Sequence, residues 1–193
     1  MSPGPLIIVS GPSGSGKSTL IRSVLACAAA PLRLAVSATT RPRREGEEDG
    51  RDYHFWTVER FEKELAAGAF LEHARVHGTN YYGTPRVEVD GYREQGWGVI
   101  LDIDVQGAAQ VRRLYPDHLS VFIALSRPEM YEERLRHRGS ETPATIARRL
   151  QTSREELARQ GEYQHVVCND DLAAATREFL DLVGRRFAPR QDP

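Results

Sequence analysis

An α/β fold, with a parallel sheet flanked by helices, follows from three features of this chain. Short apolar runs bounded by turn residues recur at 6–9, 34–37, 99–103, 121–125 and 166–168, the pattern of strands buried on both faces. Helical patterns stand between several of them, at 18–30, 106–114, 129–138, 143–160 and 172–187. The first strand also runs directly into Gly11-Pro12-Ser13-Gly14-Ser15-Gly16-Lys17-Ser18, which satisfies G-x-x-x-x-G-K-[ST] at every fixed position.

That loop is the strongest chemical signal in the chain. Its glycines let backbone N–H groups turn inward as an anion-binding nest, Lys17 reaches outer phosphates, and the Ser18 hydroxyl is a hard oxygen donor suited to Mg²⁺. A flexible Gly/Ser turn would explain the glycines. It would not explain the flanking strand and helix, nor a lysine in this slot when Lys17 and Lys63 are the only lysines among 26 basic residues. The reading is a P-loop NTPase core.

The later elements carry their own punctuation. Thr142 followed by Pro143 is a good helix start, Gly161 can stop that helix, and Asn169-Asp170-Asp171 can cap the last one. Two segments break the α/β alternation. Residues 38–96 are Arg/Glu/Gly-rich and then Tyr/Gly-rich, with a helix at 58–67 closed by Gly68, and read as an inserted substrate subdomain. Residues 134–160 carry Arg134, Arg136, Arg138, Arg148 and Arg149 around a Gly-Ser-Glu-Thr-Pro break and read as an arginine lid. The core is then 4–37, 97–133 and 161–188 of one domain spanning 1–193, a length sufficient for a substantial apolar interior.

Composition narrows the class. With 40% hydrophobic and 27% charged residues and a net charge of -1, the chain reads as an ordinary globular protein and not a bulk nucleic-acid binder. Cys27 and Cys168 match no zinc or CxxC spacing, the N-terminus has no basic and apolar leader, and no stretch is apolar enough for a membrane span. A cytoplasmic location is expected. His73 and His77, spaced i, i+4, read as a surface or pocket-edge pair without HExxH or a nearby cysteine.

Beyond the loop, an ordered series follows: Val36-Ser37-Ala38-Thr39-Thr40-Arg41, Arg44-Glu45-Gly46-Glu47, Gly50-Arg51-Asp52-Tyr53-His54-Phe55, Phe70-Leu71-Glu72, Asn80-Tyr81-Tyr82-Gly83-Thr84, the run from Ile100 to Gly107, and Asn169-Asp170-Asp171-Leu172. In these residues the chain resembles the guanylate kinases, from Ile8 to about Leu172. The resemblance implies ATP-dependent phosphorylation of GMP, and of dGMP, with Mg²⁺. It implies that Arg41, Arg44, Tyr53 and Tyr82 hold the GMP phosphate and that Ser37, Glu72, Thr84 and Asp102 meet the guanine. On the donor side it implies the loop from Gly11 to Thr19 with Arg134, Arg138, Arg149 and Asn169, the metal falling to Ser18 and to Asp102 directly or through water. Lys17, Arg41, Arg134 and Arg149 would carry the charge of the transferring group. Two departures are mild: Arg41-Pro42-Arg43-Arg44 places its proline one position early, so Arg43 competes with Arg44 for the clamp, and Thr84 stands where serine is also usual.

The residue chemistry agrees. Guanidinium groups present a planar fork of donors to phosphate, so Arg41 and Arg44 with tyrosine hydroxyls suit a monophosphate pocket. A carboxylate such as Glu72 accepts from N1–H and the amino group of guanine, whereas adenine presents a lone pair there and leaves a buried group unpaired. A monophosphate acceptor is already anionic near neutral pH, so catalysis reduces to in-line alignment and charge neutralisation, with Asp102 and Asp104 near the metal and closure around both substrates excluding water. A P-loop kinase of another phosphorylated acceptor, or a non-catalytic binding module of the same fold, are the competing readings. The first is opposed by Glu72, Tyr53 and Tyr82, the second by the intact loop. A switch GTPase lacks its NKxD-type base motif here.

Overall fold

The computed structural model describes residues 3–76, 80–137 and 143–187. In chain order it contains β1 (Leu6–Ser10), α1 (Lys17–Cys27), β2 (Leu32–Leu34), β3 (Ala38–Thr39), β4 (His54–Phe55), α2 (Val58–Ala66), β5 (Phe70–Val76), β6 (Asn80–Pro85), a 3-10 turn at Arg86–Glu88, α3 (Asp90–Glu94), β7 (Gly98–Asp102), α4 (Val105–Leu114), β8 (Leu119–Ala124), α5 (Pro128–His137), α6 (Pro143–Leu157), a 3-10 turn at Gln160–Glu162, β9 (His165–Cys168) and α7 (Leu172–Phe187).

Five strands form the main sheet in the order β2-β7-β1-β8-β9, and every pairing in it is parallel. Side chains alternate across β1, so its two faces build two cores. Ile7 and Val9 pack with Ile100, Val121 and Ile123 against Leu20, Ile21 and Val24 of α1 and Ala175, Phe179 and Val183 of α7. On the other face, Leu6 and Ile8 join Val99, Leu101 and Phe122 against Val105, Ala108 and Val111 of α4. Helices therefore cover both faces, and all five residues of β1 are buried. That core also takes in Leu71 of β5 and Val89, so the segment inserted between β2 and β7 is anchored to the main body.

The insertion has a smaller sheet of order β4-β3-β6-β5, in which β5 and β6 form an antiparallel pair. Its interior is aromatic: Phe61 stacks on Phe70 at 4.4 Å and on Tyr81 at 5.2 Å, with Ala38, Trp56 and Leu65 around them. Thr57 caps α2 by accepting from the Arg60 N–H, and Gly68 follows that helix in the left-handed region at φ 69°. Gly83 is required by close approach, because a Cβ there would lie 2.8 Å from the Phe70 ring and 2.9 Å from the Glu72 carbonyl oxygen.

Four elements differ from expectation. Helix α1 ends at Cys27 instead of 30, because Ala28 already turns to extended backbone at ψ 129°. The second strand ends at Leu34 instead of 37; Ala35 N–H still bonds Ile100 O, but Val36 N–H turns to Glu88, so the chain leaves the ladder there. Helix α3 was not anticipated, being only five residues long. Helix α6 ends at Leu157, ahead of Gly161, which lies in the 3-10 turn that follows. The expected cap Thr142 and the residues Arg138 and His77 lie outside the described residues.

Candidate active site

The carboxyl ends of β1 and β7 meet at one cleft of about 410 Å³, the position at which parallel α/β sheets present ligand sites. The Gly11–Thr19 loop forms one wall, turning from β1 into α1 with Gly14 at φ 91° and Gly16 at φ 80°. A Cβ on Gly11 would stand 2.3 Å from the Ile123 carbonyl oxygen, so this first glycine is needed where the loop passes β8. The loop is pinned from behind: buried Asn169 donates to Ser15 O at 2.7 Å, and Arg134 donates to Ser15 O at 3.4 Å and to Asn169 O at 3.0 Å.

Lys17 opens α1 and forms an ion pair with Asp102, the last residue of β7, at 2.5 Å. Burial opposes the ammonium charge, but the field and hydrogen bond of Asp102 outweigh it, with Glu156 and Tyr53 adding, so Lys17 is held above its ordinary value. The exposed Ser18 hydroxyl donates to the other Asp102 oxygen at 3.5 Å. Asp104 is committed on one side: its Oδ1 accepts from the Gln106 and Gly107 N–H groups at 2.8 Å and caps α4.

Across the cleft, β5 and β6 of the insertion present a polar chain. Ser37 lies 3.2 Å from the Thr84 hydroxyl, and Thr84 donates to Glu72 Oε1 at 2.7 Å. Glu72 is 5% exposed, and its pKa is pushed up to about 7: burial dominates, the Thr84 bonds oppose it, and Asp104 adds. Tyr53 and Tyr82 line the same wall with rings 5.9 Å apart, edge to face. Burial and the neighbouring Asp102 keep the Tyr53 phenol protonated, a donor at neutral pH. Arg41 lies near the Tyr53 ring at 5.5 Å, and Glu47 grips it in a two-pronged ion pair at 2.8 and 3.0 Å.

Most of the expected site residues therefore converge. Arg41 and Arg44 both stand outside the cleft lining: Arg41 is half-buried against Glu47, and Arg44 is exposed, its backbone N–H donating to the same Glu47 at 2.8 Å. Thr84 is fully buried behind Glu72. Arg43 is exposed as well. Arg134 and Asn169 line an adjoining cavity of about 270 Å³ with Gly14, Gly16 and Thr19. Arg149 lies on α6. The run Asn169-Asp170-Asp171 divides three ways: Asn169 ties the loop, Asp170 accepts from Ser126 N–H, and Asp171 caps α7 through Ala174 N–H.

Sequence reasoning missed Arg22 and Asp52, which line the cleft, as well as Glu47 and Glu156. Glu47 was visible only as part of a motif, its partner fixed by the fold of the loop. Glu156 enters the cleft from α6, its pKa pushed up to about 7 by burial, which Lys17 opposes and Asp104 reinforces. The signal available for it was spacing, since it follows Arg149 by seven residues and so shares a helix face.

A protein-family model described as Guanylate kinase matches residues 4–185. The chain is 47% identical over 180 residues to a protein of Symbiobacterium thermophilum named Guanylate kinase, covering 93% of this chain and 84% of that protein. It is 46% identical over 193 residues to one of the same name from Rubrobacter xylanophilus, covering both in full. Its fold is similar to the crystal structure of guanylate kinase from Anaplasma phagocytophilum, with a TM-score of 0.78, 27% identity, and coverage of 98% of this chain and 89% of that one.

Proposed function

The chain belongs to the guanylate kinase family, and from that premise we propose how its residues carry out the transfer of a phosphoryl group from ATP to GMP. The observation that carries the reading is the chain Ser37–Thr84–Glu72, which opens onto the same cleft as the Gly11–Thr19 loop. One wall suits a triphosphate and the facing wall suits an oxopurine.

On the donor side, loop N–H groups and Lys17 hold the ATP phosphates. Lys17 starts out paired with Asp102, so donor phosphates recruit the ammonium and release the carboxylate. Ser18 and Asp102 are hard oxygen donors on one edge of that wall, the small set Mg²⁺ takes when phosphates and water complete its coordination. When bound, the ion offsets charge on the donor phosphates.

On the acceptor side, Glu72 accepts from guanine N1–H and the amino group while Thr84, itself bonded to Ser37, donates to its Oε1. Tyr53 and Tyr82 donate to the acceptor phosphate, and Arg41 exchanges Glu47 for it, one two-pronged partner for another. Arg41 and Arg44 both lie outside the cleft lining, and they reach the phosphate as the insertion closes around both substrates. The sugar hydroxyl takes no part in this scheme, so dGMP is accepted too. The phosphate oxygen attacks without a general base, because its second ionisation lies near pH 6. Arg134 and Arg149 add positive charge as the lid helices approach.

Among the described residues no helix is long and apolar enough to cross a membrane, and both cysteines are unpaired and exposed. Those thiols support a reducing, cytoplasmic setting. A coupled assay with ATP and Mg²⁺ tests the scheme: GMP and dGMP turn over, and AMP, UMP and ribose phosphates do not. Comparable turnover of AMP would refute the role given to Glu72.

A further inference from the structure

Glu88 sits where the insertion rejoins the core, in the 3-10 turn after β6, and three contacts converge on it. Its Oε2 accepts from Arg33 Nη2 at 2.7 Å, on β2 of the main sheet. Its Oε1 lies 2.9 Å from His54 Nε2, on β4 of the smaller sheet. The Val36 N–H, in the connection between those sheets, reaches Oε2 at 3.5 Å. The Glu88 side chain is only 15% exposed, and the Arg33 guanidinium lies 3.3 Å above the Tyr92 ring, held by its face as well as its edge. One carboxylate thus joins two sheets and their connector.

The neighbours of these contacts are the acceptor groups. Val36 immediately precedes Ser37, which pairs with Thr84. His54 immediately follows Tyr53, and Thr84 lies four residues before Glu88. We propose that Glu88 is a positioning residue for the acceptor nucleotide: by clamping Val36 and His54 to Arg33 it fixes the backbone that presents Ser37 and Tyr53, and so sets affinity for GMP without touching it. This rests on the assignment of the insertion as the acceptor side. The donor loop hangs from β1, two places from β2 in the sheet order, so the clamp acts on one substrate.

Removing the carboxylate leaves Arg33, whose Nη1 is already buried without a partner, with no counter-charge. Steady-state kinetics of Glu88→Ala and Glu88→Gln test the clamp, with a thermal melt of each to confirm folding. The alanine variant is expected to raise KM for GMP about three- to thirtyfold, the range for residues that act through a neighbour. KM for ATP and kcat at saturating GMP stay within about twofold, and glutamine falls between. Adding Arg33→Met to Glu88→Ala is expected to give little further change, because both break one clamp. An unchanged KM for GMP, or equal rises for both substrates, would overturn the proposal. Should the alanine variant not fold, Glu88→Gln and His54→Gln carry the same comparison. Glu72→Gln is the control: if it too leaves KM for GMP unaltered, the acceptor assignment fails, and if it alone weakens GMP, only the clamp fails.

Discussion

A Cβ atom placed on Gly107 would stand 2.4 Å from Oε2 of Glu72. The first turn of α4, capped by Asp104, therefore lies directly against the carboxylate assigned to guanine, and only a glycine leaves room for it. The clash involves the far end of a flexible side chain, and alanine suits a helix better than glycine by about 1 kcal/mol. Gly107→Ala should fold with an unchanged or slightly higher Tm while Glu72 is pushed aside. KM for GMP is expected to rise about tenfold or more, with KM for ATP unchanged. Kinetics beside a melting curve check both halves, and an unaltered KM for GMP would show that Glu72 does not need its present position.

Glu72 also makes the acceptor side sensitive to pH. Its folded pKa of about 7 lies above the ordinary carboxylate value of 4.5, so the native state holds a proton that the unfolded chain has released between those values. Its contribution to stability is present below about pH 4.5 and lost as pH rises through 7. In the proposed scheme guanine binds the ionised form, so GMP affinity should fall as pH drops below 7, by up to about tenfold per unit. Glu72→Gln should be more stable than the parent at pH 8, by roughly 1–3 kcal/mol, yet bind GMP poorly and with a flatter pH profile. Denaturant unfolding at pH 5.5 and 8 with GMP titrations at both would reveal it, and a gain in stability that does not grow with pH contradicts the charge argument.

How much of this was legible in the sequence depends on the range of each interaction. The Gly11–Ser18 loop and its strand were readable because every requirement lies within a dozen residues. Asp102 was readable because it ends an apolar run. The end of β2 was not: residues 35–37 continue an apolar pattern, and only Glu88, some fifty positions away, takes Val36 N–H out of the ladder. Residue types alone make Asn169 one of three candidate caps, and only the resemblance put it on the donor side; the helix uses Asp171, and the loop takes Asn169 across 154 positions. The grip of Glu47 on Arg41 spans only six residues but depends on a turn that residue types leave open.

Asn169 gives a test of the donor side. It is 4% exposed and its amide donates to Ser15 O, so it holds the loop between Gly14 and Gly16. Asn169→Ala removes that tie and should lower stability by about 1–3 kcal/mol and raise KM for ATP several-fold, leaving GMP binding alone. Asn169→Asp keeps the size but sets an acceptor against the Ser15 carbonyl and a negative charge beside the phosphate nest, so it should harm ATP binding more than alanine does. Isothermal titration with ATP ranks the two, and the reverse order would place Asn169 outside the donor loop's support.

In the proposed scheme Lys17 separates binding from chemistry. Its partner Asp102 is on the protein, so an alanine at 17 leaves a carboxylate that is 26% exposed and able to take water, and the fold should lose only about 1 kcal/mol. The transferring group, by contrast, has no second lysine to turn to, and the field of one preorganised cation is worth about 10²–10³ in kcat. Lys17→Ala is therefore expected to lose that much turnover while its dissociation constant for GMP changes by less than about threefold, since Glu72, Thr84 and Tyr53 all lie on the other wall. Lys17→Arg should recover little, because a wide planar guanidinium cannot enter a nest built for a point charge. Single-turnover assays with fluorescence titration of GMP distinguish the outcomes: equal loss of both would mean that Lys17 organises the whole cleft, and normal turnover would remove it from the reaction.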